Sequence, residues 1–232
     1  MSKILNIETS TTVCSVSISE NGACKCFREN FNGNNHSELI GVFTQEVLAE
    51  AGLEPQDLDA VALSIGPGSY TGLRIGTSFA KGLCYGTDIP LITIPTLKII
   101  AQNAKEKYNI KDDALLCPMI DARRMEVYTS LYTRECARTR NIEAKIIDEH
   151  AFEQELATQT IYFFGNGAAK CKEIIQSKNA YFIDDVLPQA QYMGTLAEHL
   201  PQLDIKQVAY YEPFYLKEFV AAPSHIKGLE TK

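Results

Sequence analysis

Tryptophan is absent from the 232 residues, histidine occurs four times, and no apolar run approaches the roughly 20 residues that a membrane-crossing helix needs. The start, Met1 to Glu8, meets an acidic side chain after a few apolar ones, so a secretion signal is not expected there. His36, His150, His199 and His225 are far apart, and no His-x-x-x-His pair sets two imidazoles on one helical face for a metal. The seven cysteines are an odd, scattered set without a Cys-x-x-Cys pair, which points to free thiols and a reducing, cytoplasmic setting. Basic residues are too few to hold a polyanion unaided: 22 Lys and Arg stand against 29 Asp and Glu, a formal charge of −7. Each phosphate contact needs a neutralising cation, so any nucleic-acid partner is expected to be held mainly by another protein. A Gly-x-Ser-x-Gly elbow, a paired-carboxylate arrangement and a nucleophile with an adjacent base are also missing, so catalysis by this chain alone is not expected.

What is present is an alternation of α and β signals. Ile4–Ser10, Cys14–Ser19 and Ala23–Arg28 read as three antiparallel strands, the last two joined by Asn21-Gly22, a strong short hairpin signal. Asn35 with Glu38 predicts a capping box opening a helix to about Ala51, ended by Gly52 and Pro55. Ala60–Ile65 is a short buried strand that runs directly into Gly66-Pro67-Gly68-Ser69-Tyr70-Thr71-Gly72-Leu73-Arg74-Ile75-Gly76 and a helix to about Tyr85. Leu91–Ile94 is another strand, and Pro95-Thr96 is read as the cap of a helix reaching Tyr108. The same grammar restarts with strands at Ala114–Ile120, Glu126–Tyr132 and Asn141–Ile147. After these come a helix near Glu149–Ala157, a strand Ile161–Phe164 and helices near Ala168–Ser177 and Gln189–Leu200. Two blocks that each open with three strands suggest a duplicated α/β domain. The expected division is residues 1–104, a hinge at 105–113, and 114–223, with the 189–200 helix or the tail able to pack back on the first domain. The polar end from about Ser224 is expected to be loose.

Three segments carry chemical signals. Four glycines in the Gly66–Gly76 junction let a backbone approach a phosphate at a helix N-terminus, yet Leu73 stands where a Walker loop needs Lys. The competing reading is packing: Gly72, Gly76 and Ala80 recur every four residues and form a small-residue groove for a close neighbour, internal or from a partner. The Ser/Thr-rich turn after Glu8 (Thr9, Ser10, Thr11, Thr12) could offer hydroxyls to an anion or be an ordinary turn. Asp121-Ala122-Arg123-Arg124-Met125-Glu126 is a tight charged connection whose arginines could pair with a phosphate or carboxylate, or simply face water.

The strings Ile4–Ser10, His36-Ser37-Glu38-Leu39, Gly66–Gly76 and Asp121–Tyr128, in that order and spacing, resemble the bacterial TsaB (YeaZ) family, and Pro213-Phe214-Tyr215-Leu216-Lys217 is similar to a late segment of it. The resemblance implies an α/β, two-domain actin-like fold of the sugar-kinase/Hsp70-like ATPase (ASKHA) class with a degenerate nucleotide cleft. It implies a non-catalytic subunit of the complex that forms threonylcarbamoyladenosine in tRNA, paired with a TsaD-like catalytic subunit and a TsaE-like ATPase. The family's dimer surface lies on the helices near 37–51 and 69–85, so His36, Leu39, Ile40, Phe43, Tyr70, Gly72, Leu73, Gly76 and Ala80 are expected to meet the partner. Glu8, Thr9, Ser10, Asp121 and Arg123 are expected to line a vestigial nucleotide cleft. The catalytic relatives carry a metal-binding His-x-x-x-His pair, and here Ile40 follows His36 at that spacing, so no metal ligand is expected. No cofactor is expected for this chain itself, ATP or ADP being placed at the subunit junction; tRNA is reached through the complex, and a homodimer of the chain alone stays open. The alternative is a small-molecule kinase or ATPase in which Glu8, Thr9, Ser10 and Asp121 meet phosphates and Mg²⁺. A peptidase ranks last, for want of a triad or metal pair.

Overall fold

The computed structural model describes residues 1–33 and 35–217; the tail from about Ser224 and the end of the expected second domain lie outside them. The chain opens with the antiparallel strands β1 (Lys3–Glu8), β2 (Cys14–Glu20) and β3 (Ala23–Asn30). Asn21 and Gly22 turn at φ 51° and 80°, as a two-residue hairpin loop of this type requires. Helix α1 (His36–Ala51) ends at Gly52 in the left-handed region. Then come β4 (Ala60–Ser64), α2 (Tyr70–Thr87), β5 (Leu91–Ile94) and α3 (Thr96–Lys107). The second half contributes β6 (Leu115–Asp121), β7 (Glu126–Thr129), β8 (Glu143–Ile146), α4 (Glu153–Thr158), β9 (Ile161–Phe164) and β10 (Ala180–Ile183). It closes with α5 (Gly194–Ala197), β11 (Gln202–Leu203) and α6 (Ile205–Tyr210).

Two sheets result, in the orders β11-β5-β4-β1-β2-β3 and β10-β9-β6-β7-β8. In each, the opening strand has a two-strand antiparallel meander on one side and two parallel strands on the other, and the first sheet adds the short antiparallel β11 at its edge. This recurrence is the actin-like arrangement of two related lobes. Central β4 is buried along its whole length, as a strand covered on both faces must be. One face of the first sheet packs Leu5, Ile7, Val16 and Leu63 against Ile40, Val47 and Ala80 of α1 and α2. The other face packs Ile4, Ala62 and Ile92 against Ala190, Met193 and Leu196 from the returning chain. Helix α3 turns Leu97, Ile100 and Ala104 toward Leu116, Ile120 and Phe164 of the second lobe.

Several expected elements differ. Asn35 is not a side-chain cap; its carbonyl takes the Glu38 and Leu39 amides and its own side chain caps nothing. Thr96 does not cap α3 either, because its hydroxyl accepts the Gly66 amide instead, 3.1 Å away. The expected 168–177 helix is a turn around the 3₁₀ segment Ala169–Cys171, and the strand Ala180–Ile183 follows it. Gly165 sets this segment tight against β6, where a Cβ would stand 2.3 Å from the Met119 carbonyl oxygen. The expected 189–200 helix is broken into a 3₁₀ turn, Ala190–Tyr192, and α5. Buried hydroxyls of β2 take its backbone: the Ala190 amide donates to Ser15 Oγ at 3.0 Å and Ser17 Oγ donates to the Ala190 carbonyl at 2.9 Å. Those bonds compete with a continuous helix.

Candidate functional site

The lobes face each other across a cleft of about 790 Å³, lined by the Ser10–Thr12 turn, the start of α2, the Asp121–Arg123 turn and residues 214–217. The first rim is made by close approach of α2 to the β1–β2 turn. A Cβ at Gly68 would stand 2.1 Å from the Ser10 carbonyl oxygen, one at Gly72 2.1 Å from that of Thr9, and one at Gly76 2.2 Å from Thr9 Oγ1. Only glycine fits at such separations. The contact is sealed by the Ser69 amide donating to the Ser10 carbonyl at 2.6 Å, and by Thr9 Oγ1 donating to the Gly72 carbonyl at 2.9 Å. Ser69 Oγ accepts the Gly72 amide and caps the helix.

The small-residue groove is therefore a packing feature, as one of its two readings held, but what fills it is the chain's own β1–β2 turn. This corrects the expected partner surface. Gly72, Leu73, Gly76 and Ala80 are covered by the first lobe itself, as are His36 and Ile40 on α1. His36 Nε2 lies 2.9 Å from the Thr11 carbonyl oxygen, so its ring ties α1 to the same turn. Leu39, Phe43 and Tyr70 remain half-buried.

The outward face is a different stripe. Arg74, Ser78, Gly82 and Gly86 are exposed and recur every four residues along α2. A Cβ at Gly82 or Gly86 would meet nothing within 4 Å among the described residues. Beside them Tyr85 is 80% exposed, and Val42 of α1 is 47% exposed. Half-buried Leu39, Phe43, Ile75, Phe79 and Leu83 form the floor between the two helices. The four-residue spacing of this stripe was in the sequence, but it equals that of the buried stripe, and only the position of the sheet separates them.

Of the expected cleft residues, the structure brings Ser10, Asp121 and Arg123 to the lining and sets Glu8 and Thr9 beneath it, fully buried. Glu8 Oε1 accepts from the Ser10 amide at 2.6 Å and the Ser10 hydroxyl at 2.5 Å. Burial outweighs these bonds and raises the Glu8 carboxyl to about 7. Asp121 is held by the Lys170 ammonium, which also donates to the Arg124 and Glu126 carbonyls. Partial burial pushes the Asp121 carboxyl up, but Lys170 and the Arg123 amide pull harder and leave it below its ordinary value. Lys170 and Asn166, whose Oδ1 accepts the Asp121 amide, escaped the sequence reading because no local pattern ties them to a turn more than 40 residues away. Among the described residues no three His, Cys, Asp or Glu side chains converge as metal ligands. Burial pushes the thiols of Cys14 and Cys117 up to about 11 and about 12, far from a reactive thiolate.

A family described as TsaD, tRNA N6-adenosine threonylcarbamoyltransferase, matches residues 30–223. A Haemophilus influenzae protein described as tRNA threonylcarbamoyladenosine biosynthesis protein TsaB is 34% identical over 228 residues, covering 94% of this chain and 94% of that protein. The Bacillus subtilis protein of the same description is 28% identical over 205 residues, 86% of this chain and 82% of its own. A solved Pseudomonas aeruginosa structure, described as an uncharacterized protein with similarity to peptidase YEAZ, superimposes with a TM-score of 0.80 at 25% identity, over 94% of this chain and 100% of that one.

The glycine geometry predicts opposite signs on one helix. Gly72→Ala and Gly76→Ala should each destabilise the chain by about 2–3 kcal/mol through overpacking, while Gly82→Ala should stabilise it by up to about 1 kcal/mol. Urea unfolding of the three variants checks this. The raised Glu8 pKa carries a sign as well. With the folded value above the ordinary 4.5, this group's contribution to stability is complete below pH 4.5, falls as pH rises to about 7 and is flat beyond. Melting curves should show wild type losing about 3 kcal/mol relative to Glu8→Gln across that window. Parallel pH profiles would refute the assignment.

Proposed function

From the premise that this chain belongs to the TsaB (YeaZ) family of tRNA threonylcarbamoyladenosine biosynthesis proteins, we propose that it serves that pathway as a non-catalytic subunit. It docks a TsaD-like catalytic subunit through the outer face of α1 and α2, and a TsaE-like ATPase completes the assembly. The observation that carries this reading is the contrast between that face and the cleft. The face has an apolar floor under Arg74 and Ser78 and is notched at Gly82 and Gly86, which no other described residue covers, so a facing helix can approach its backbone closely. In the cleft, one candidate metal carboxylate is sequestered under the turn and the other is occupied by Lys170.

Docking that favours one arrangement of the partner activates it by differential affinity, without any chemistry on this chain. The charge of −7 favours leaving most of the grip on tRNA to the other subunits, and the free cysteines favour a reducing, cytoplasmic site of action. No cofactor is required by this chain; ATP or ADP belongs at the junction of the subunits. A stand-alone kinase or ATPase needs carboxylates free to hold Mg²⁺ near a phosphate, which the bonded states of Glu8 and Asp121 do not favour.

Gly76 is unsuitable as the position of a docking test, since any side chain there collides with Thr9 inside the first lobe. Gly82→Arg is suitable: the isolated chain should keep or slightly raise its melting temperature, and affinity for the TsaD-like subunit by titration calorimetry should fall at least tenfold. Unchanged affinity would refute docking through this face.

A further inference from the structure

We propose that residues Pro213–Lys217 are a strap that couples the outer face of α2 to the second lobe across the mouth of the cleft. The proposal rests on the docking reading above for its trigger, and on the contacts of the strap for its mechanism. The strap is moored to the first lobe at its start: Lys81 Nζ on α2 donates to the Ala209 carbonyl at 2.8 Å and the Tyr211 carbonyl at 3.2 Å. The Phe214 amide donates to the Ile65 carbonyl at 2.9 Å, just beyond β4. Its own carbonyl lies so close to Gly66 that a Cβ there would stand 2.7 Å away. Tyr215 then packs on Tyr70 with ring centres 4.9 Å apart. Arg74 lies over the Tyr70 ring at 4.2 Å and donates from Nε to the Tyr215 hydroxyl at 3.3 Å. Two residues later Lys217 pairs with Glu126 on β7 of the opposite lobe.

The direction of coupling follows from the position of Arg74. It is exposed and begins the outward stripe that continues through Ser78, Gly82 and Gly86. A partner lying along that stripe meets Arg74 and competes for, or reinforces, its hold on the two tyrosines. A change in that hold moves Tyr215, and Lys217 transmits the movement to Glu126 and the Asp121–Glu126 turn. Phe214–Lys217 line the cleft, so the same movement alters its opening. The contacts at the two ends of the relay are each of modest strength: Arg74 makes a cation–π contact with Tyr70 and a hydrogen bond to Tyr215, and Lys217 makes a partly exposed ion pair with Glu126.

Hydrogen exchange on the full chain tests this. Arg74→Ala, made at an exposed side chain on the first lobe, should speed amide exchange in the 122–126 turn of the second lobe roughly two- to tenfold. Tyr215→Phe, which deletes only the hydroxyl, should act in the same direction, and Lys217→Met should speed exchange at 214–215. Adding the TsaD-like subunit to wild type should protect α1 and α2 and also shift exchange at 122–126. If Arg74→Ala and Tyr215→Phe alter only residues near 70–74 and 213–217 and leave 122–126 at the wild-type rate, the strap is refuted. Loss of partner protection on α1 and α2 would instead refute docking, and the two variants would still decide the strap.

Discussion

Helix α2 can lie where it does only because Gly68, Gly72 and Gly76 let it rest against the backbone and hydroxyls of the β1–β2 turn. Much of the first lobe follows from that approach. It buries Glu8 under Ser10, and it holds the Ser10–Thr12 turn as one rim of the cleft, with His36 bonded to Thr11 from the other side. By fixing which side of α2 faces the sheet, it also fixes which side faces out. Each interior glycine lowers helix propensity by about 1 kcal/mol, and the bonds from the Ser69 amide to the Ser10 carbonyl and from the Thr9 hydroxyl to the Gly72 carbonyl offset that loss.

The two surfaces so created have opposite chemistry. The two candidate metal carboxylates at the cleft are committed: Glu8, beneath the lining, is raised by burial toward its neutral form, and Asp121 is tied to Lys170. The outer face of α1 and α2 has an apolar floor, and at Gly82 and Gly86 no other described residue covers its backbone. Chemistry needs mobile protons or a free metal carboxylate, whereas docking needs dry, complementary relief. The family likeness and this contrast agree in favouring docking.

Much of the architecture was legible in the sequence because its signals are local. The Asn21-Gly22 hairpin, the Gly52 helix end, the buried run of β4 and the repeated three-strand openings all appear where their chemistry indicates. What was not legible depends on distant contacts. The broken helix at 189–200 is set by Ser15 and Ser17, and Asp121 is neutralised by Lys170 from a segment with no motif. The site suffered from the same limit. The groove of Gly72, Gly76 and Ala80 was correctly read as a place of close approach, but its occupant turned out to be internal. The outward stripe repeats the spacing of the buried one, so periodicity could not tell them apart.

On this reading the chain contributes a docking surface rather than a reaction. Threonylcarbamoyl transfer to tRNA, followed in a system rebuilt from separate TsaD-like, TsaE-like and TsaB-like subunits, tests it most directly. Product should form rapidly with this chain present, collapse when it is left out, and return in full with Asp121→Ala. Equal rates with and without the chain, or loss of product with Asp121→Ala in a folded complex, would contradict it.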